Sequence, residues 1–166
     1  YRGQLASRKL KEVDDAYREV AELLSAEAES YKPLYSAIVA DETQDLGPQA
    51  LRLLRALVPA GPNDLFFVGD GHQRIYSRNK AAMSRCGIDI RGRAKKLYLN
   101  YRTTDEIRRQ AVALLEGCEI DDLDDGHDET KRYKSLSHGP APTVLNVEGI
   151  EAAAKHAIEF VRQWNT

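Results

Sequence analysis

Three short stretches carry side chains that could act together on a phosphate. In "YSAIVADETQDL" the adjacent carboxylates Asp41 and Glu42 end an apolar run, in "LFFVGDGHQRIY" Asp70 and Gln73 do the same, and "LYLNYRTTDEI" delivers Asn100, Tyr101 and Arg102. A carboxylate in such a place can hold a magnesium ion, directly or through water, beside a nucleotide's phosphates. Its neighbour can orient or deprotonate an attacking water. An arginine can neutralise charge that develops on a transferring phosphoryl group. Each residue also has a plainer reading. Asp41 and Glu42 would serve as first-turn charges for a helix beginning at "LGPQALRLL". Arg102 would pair with Asp105 or Glu106, and Gln73 alone is unremarkable. Their joint occurrence, each at or just past the end of an apolar run, favours chemistry.

The elements that must position these residues follow from hydrophobic spacing. Residues 7–31 repeat Leu10, Val13, Tyr17, Val20, Leu23 and Leu24 at helical intervals and predict one amphipathic helix closed by Pro33. "YSAIVA" and "LFFVGD" read as buried strands, and "LYLNYRT" as a third. Between the first two lies "GPQALRLLRALV", a predicted helix with Pro48 in its first turn and Leu51, Leu54, Leu57 and Val58 as its buried stripe. A helix over 103–117 starts at Thr104 with Asp105 and Glu106 in its first turn and stops at Gly117. "EIDDLDDGHDET" is acidic and almost free of apolar residues, and reads as a linker rather than a calcium loop, because no closing glutamate ladder is present. "PTVLNVEG" then predicts a strand and 150–164 a helix. Alternating helices and strands favour an α/β fold with a parallel sheet, whose ligands sit beyond the carboxyl ends of the strands. All three polar clusters are then expected on one rim.

Composition narrows the function class. The chain has 166 residues, 42% hydrophobic and 30% charged, enough for a packed core. Its net charge of −2 gives no global basic signature for nucleic acid. Basic residues instead gather in one segment, from Arg74 and Arg78 through Lys80, Arg85, Arg91 and Arg93 to Lys95 and Lys96, which would track a phosphate backbone or form a solvated loop. Two distant cysteines, Cys86 and Cys118, are expected as free thiols, in keeping with a cytoplasmic protein. No apolar run approaches a membrane span and the start has no signal-peptide pattern. The opening on Tyr1, straight into helical sequence, is expected of a piece of something longer.

The three motifs carry a family resemblance. "IVADETQDL" resembles the Walker B (DExx) motif of UvrD/Rep-type superfamily 1A DNA helicases, "LFFVGDGHQRIY" the "GDxxQxIY" motif that follows, and "LYLNYRTTDEI" the "LxxNYRSxxxI" motif after that. The match covers roughly 35–115, and the motifs stand in the family's order. The resemblance implies a RecA-like parallel sheet of the P-loop NTPase type and the cofactors ATP and Mg²⁺. It implies Asp41 as the ligand of the magnesium, Glu42 as the activator of the hydrolytic water, and Gln73 as sensor of the γ-phosphate. Arg102 becomes an arginine finger, Tyr101 stacks on adenine, and Gln44 and Asp45 support the site.

The departures shape the expectation as much. The family continues "QxIYxWRGA", with a tryptophan that stacks on single-stranded DNA; here "QRIYSRNKAAM" puts Arg78 in that place and leaves Tyr76 as the aromatic candidate. No G-x-x-x-x-G-K-[ST] loop occurs in the sequence. The sheet is therefore expected to be incomplete. Residues 1–117 read as the carboxyl-terminal part of a first motor domain, 118–132 as an acidic linker and 133–166 as the start of a second. The expected function is the magnesium-binding, water-activating half of the ATP site of a helicase or translocase on single-stranded DNA. Its partner would be the polypeptide that carries the phosphate loop, and the chain alone is not expected to hydrolyse ATP. The rival readings are a non-enzymatic helicase-like binding module and a magnesium-dependent nuclease built on Asp41, Glu42 and Asp70.

Overall fold

The computed structural model of the chain describes residues 1–26, 32–74, 81–120, 122–123, 126 and 132–164. Contacts divide it into two compact units, Tyr1–Tyr98 with Leu115–Tyr133, and Leu99–Leu114 with Lys134–Thr166.

The first unit begins with helices α1 (Arg2–Ser7) and α2 (Val13–Ala26). The single helix predicted over 7–31 is thus interrupted: Lys9 takes a left-handed backbone (φ 55°), which an α-helix does not accommodate, and 27–31 lie outside the described residues. Asp14 and Asp15 in the first turn of α2 complement the positive end of the helix. Strand β1 (Ile38–Ala40) runs parallel to β2 (Leu65–Phe67), with Ile38 opposite Leu65, Val39 opposite Phe66 and Ala40 opposite Phe67. The connection between them holds helix α3 (Pro48–Ala56), entered from Gly47 with Pro48 in the first turn, where a missing N–H costs nothing.

α2 packs on α3. Beneath α3, Leu51 (2% exposed) joins Met83, Cys86 and Ile88 in the buried core, and Leu65 and Phe67 pack against it from the sheet. Burial of a side chain such as Leu51 contributes about 1.5–3 kcal/mol. Leu54 and Leu57 are only half-buried. Both strands were expected buried on two faces, but Val39 and Phe66 are exposed cross-strand partners at 75% and 63%. Alternate side chains point to opposite faces, and only the face of Ile38, Ala40, Leu65 and Phe67 is covered.

Asp64 secures the entry to β2. Its carboxylate accepts hydrogen bonds from Arg55 Nη1 (2.7 Å), the Gly61 N–H (3.1 Å) and the Leu65 N–H (3.0 Å). Burial opposes its charge, but the hydrogen bonds of Arg55 and Gly61 outweigh that and hold the carboxyl below its ordinary range.

The second unit contains β3 (Leu99–Asn100) and β4 (Lys134–Ser135), paired in parallel, with helices α4 (Asp105–Ala113) and α5 (Gly149–Trp164). The strand expected over 97–103 is confined to two residues, β4 was not foreseen, and 142–147, expected in a strand, join no sheet. Propensity in those segments favours extension, but a strand needs a hydrogen-bonding partner, and 142–147 have none in either sheet. The architecture is therefore α/β with two separate two-stranded parallel sheets among the described residues, where one sheet was predicted. Among the described residues no helix is long and apolar enough to cross a membrane.

Candidate functional site

In the first unit the two strand ends meet in one hydrogen-bonded cluster. Past β1, the peptide N–H of Val68 donates to Ala40 O (2.9 Å), and both the N–H and the hydroxyl of Thr43 donate to Val68 O (each 3.0 Å). These bonds tie the chain after β1 to the chain after β2. Asp41 and Glu42 sit at the turn so formed, both exposed. The Glu42 N–H donates to Asp41 Oδ1 at 2.8 Å. Glu42 itself is left-handed (φ 52°, ψ 39°), a conformation that costs a residue with a Cβ about 1–2 kcal/mol. Non-glycine residues held this way concentrate at functional sites.

Gln44 joins the two motifs. Its side chain is buried, at 2% exposure, yet both ends of its amide are used. Nε2 donates to Glu42 Oε2 at 2.7 Å, and Oε1 accepts the N–H of Asp70 at 3.0 Å. Asp70 then orders the short 3₁₀ turn Gly71–Gln73: its Oδ1 accepts the His72 N–H (3.0 Å) and its Oδ2 accepts Gln73 Nε2 (2.9 Å). His72 Nδ1 lies 3.0 Å from Asp70 Oδ1. Arg74 closes the loop with a bond from Nε to Gln44 O at 3.1 Å. Gly69 is required by this closeness, since a Cβ there would stand 2.5 Å from Thr43 Oγ1 and 3.0 Å from Gln44 Oε1.

Asp41, Glu42, Gln44, Asp70 and Gln73 are thus brought together. Thr43 and Gly69 carried no role in the sequence reading. The glycine beside Asp70 was a visible signal, whereas nothing in the string marks Thr43. Tyr76 and Arg78 lie outside the described residues, so the structure does not place the two candidate DNA contacts. Arg85, Arg91, Arg93, Lys95 and Lys96 are exposed. Arg91 grips Asp89 with two bonds of 2.9 Å, which with the Arg91 N–H pull the Asp89 carboxyl down to about 2.

Asn100, Tyr101 and Arg102 belong to the second unit. The Asn100 side-chain oxygen accepts the Arg102 N–H at 2.8 Å, shaping the turn after β3. Tyr101 is 75% exposed and Arg102 is exposed. The salt bridges considered for Arg102 are not formed: Asp105 is held by Arg108 and Arg109, each at 2.7 Å, and Glu106 Oε1 is held by His138 Nδ1 at 2.9 Å. Among the described residues the Arg102 guanidinium has no ion pair. Thr104 caps α4 by accepting the Ile107 N–H, and the Asp105 N–H donates to Ser137 O. The Arg108 hydrogen bond lowers the Asp105 pKa against the opposing effect of burial, aided by the Ser135 N–H. His138 and the Gly139 N–H pull Glu106 down to about 2.

No group of three metal-binding side chains occurs among the described residues. The oxygen donors at the turn after β1 nonetheless suit magnesium, which is ordinarily held by one or two carboxylates together with water and phosphate oxygens. Asp41 fits that description: it is exposed, and its Oδ1 faces back to the turn.

A parallel strand pair flanked by helices makes this an α/β protein, a class in which ligands are bound beyond the carboxyl ends of the strands. Residues 1–86 match the UvrD/REP helicase N-terminal domain, and the chain belongs to that family. The match contains the cluster from Asp41 to Gln73, while Asn100–Arg102 lie beyond it. No curated protein matches the chain.

Proposed function

We propose that this chain supplies the magnesium-binding and water-activating half of the ATP site of a superfamily 1A DNA helicase or translocase. The observation that carries the reading is the single hydrogen-bonded cluster from Glu42 through Gln44 and Asp70 to Gln73 at two parallel strand ends, inside the segment that matches the family. In this reading the two parallel strands belong to an incomplete RecA-like sheet. Residues 1–117 are the later part of a first motor domain, 118–132 a linker and 133–166 the start of a second. Pairing of Leu99–Asn100 with Lys134–Ser135 ties the Tyr101–Arg102 segment to the far side of that linker.

Asp41 would hold Mg²⁺, which supplies charge neutralisation on the nucleotide's phosphates. Glu42 accepts a proton from the attacking water, and its carboxylate is oriented by the Gln44 amide. Gln73, kept in place by Asp70, reads the γ-phosphate. Arg102 counters charge on the transferring phosphoryl group, and the exposed Tyr101 ring stacks on adenine. The sequence holds no phosphate-binding loop, so turnover requires one contributed by the rest of the motor. Single-stranded DNA is the track, contacted by Tyr76, Arg78 and the basic segment that follows them.

The test is Glu42→Gln in the motor that combines this chain with its phosphate loop. DNA-stimulated ATP hydrolysis should disappear while binding of a fluorescent ATP analogue persists. Hydrolysis that survives the substitution refutes the assigned base.

A further inference from the structure

We propose that Gln44 is a positioning residue that links the Glu42 carboxylate to the turn carrying Gln73. Its consequence for turnover rests on the roles proposed for Glu42 and Gln73; the link itself is a property of this chain.

A buried glutamine is ordinarily costly unless both ends of its amide are satisfied. Here each end faces a partner that only that end can serve. The NH₂ meets a carboxylate oxygen, an acceptor, and the C=O meets a peptide N–H, a donor. Turning the amide over would set C=O against carboxylate and NH₂ against N–H, two repulsive contacts in place of two bonds. The orientation is therefore dictated by its partners, and the stronger of these is the charged one, at 2.7 Å. Removing the Glu42 carboxylate removes the anchor that aims Oε1 at Asp70.

From Asp70 the path continues without a gap. The residue whose N–H is held by Gln44 uses its own carboxylate to hold the His72 N–H and the Gln73 amide. The peptide oxygen of Gln44 is fixed as well, by Arg74 on the other side of the same turn. Gly69 leaves room for the amide, with Oε1 at the distance where a Cβ would begin to crowd it. Whatever engages or displaces the Glu42 carboxylate thus alters the hold on the Gln73 turn. A side chain that merely filled space would leave the two independent.

Amide hydrogen exchange on the whole 166-residue chain tests the link without any nucleotide. In Glu42→Ala, protection of the Asp70 N–H should fall about tenfold, the scale of one charge-assisted hydrogen bond, with the Val68 N–H unchanged. Glu42→Gln keeps an oxygen facing Gln44 and should retain most of that protection. In Gln44→Met the Asp70 protection should already be lost, and adding Glu42→Ala should change it no further. Unaltered Asp70 protection in Glu42→Ala overturns the proposal. That variant changes an exposed side chain, so the question is answered even if Gln44→Met fails to fold. Because ATP is not involved, loss of the link and failure of the motor reading give separate results.

Discussion

The turns that follow β1 and β3 look alike in sequence and are built differently. Each places polar residues after a short parallel strand. Behind β1, the acids and amides bind one another through buried Gln44, and the Glu42 and Gln73 side chains are each held by a neighbour. Behind β3, the nearby acids are spent on structure: Asp105 holds Arg108, Arg109 and the Ser135 N–H, and Glu106 holds His138 and the Gly139 N–H. Tyr101 and Arg102 are left exposed, and the Arg102 N–H donates to the Asn100 side-chain oxygen. In the first turn the acids and amides hold one another; in the second the Asn100 side chain holds the turn while Tyr101 and Arg102 stay exposed. Preorganised polar groups are what electrostatic catalysis requires, since nothing then has to reorient as charge develops.

The sharpest way to break the contrast is at Arg102. If its exposed guanidinium serves chemistry rather than the fold, Arg102→Ala in the assembled motor lowers ATP turnover by about 10³-fold, the scale of an arginine finger. Thermal unfolding of the chain should barely change, as no ion pair among the described residues is lost. A turnover loss below about tenfold would return Arg102 to the ordinary surface.

Next in size is Gly69→Ala, which attacks the turn after β1. The added methyl has no room between Thr43 Oγ1 and Gln44 Oε1, so the strand ends must part. Overpacking of this kind costs about 1–3 kcal/mol, readable as a lower urea midpoint. Gly69 is not left-handed, so any loss reports crowding rather than backbone strain. A urea midpoint unchanged from wild type would show that crowding at Gly69 contributes nothing.

The smallest effect concerns the segment after β3. The Glu106 carboxyl is held at about 2 in the folded chain against an ordinary 4.5, chiefly by His138 and then by the Gly139 N–H. A depressed folded-state pKa stabilises the fold fully above the unfolded value and loses that contribution as pH falls through the folded one. Wild type should therefore lose stability relative to Glu106→Gln as pH drops from about 4.5 toward 2. Parallel pH profiles for the two proteins would mean the clamp between α4 and residues 138–139 adds nothing.

How much of this could be read from the string differs between the same two regions. The place of Asp41 and Asp70 just past β1 and β2 was legible because runs of β-forming residues announce where strands end. Thr104 as the cap of α4 and Pro48 in the first turn of α3 were equally local signals. The late start of α2 was not legible, because Leu10 precedes Val13 at helical spacing although the backbone leaves the helix at Lys9. Nor was β4, whose two residues Lys134 and Ser135 carry no strand propensity and pair only because the tertiary structure brings them beside Leu99 and Asn100.

The sequence by itself determined the chemistry on offer: paired acids, a glutamine and an arginine near the ends of apolar runs, with no phosphate loop among them. It determined this because residue type and local spacing are properties of the chain. Only the tertiary structure decided which of those groups bind one another. Gln44 could have faced solvent; burial between two strand ends, where each end of its amide meets its complement, makes it the link between Glu42 and Asp70. Such a partnership spans 26 residues of sequence, and a hydrogen bond at that separation exists only once the strands have paired.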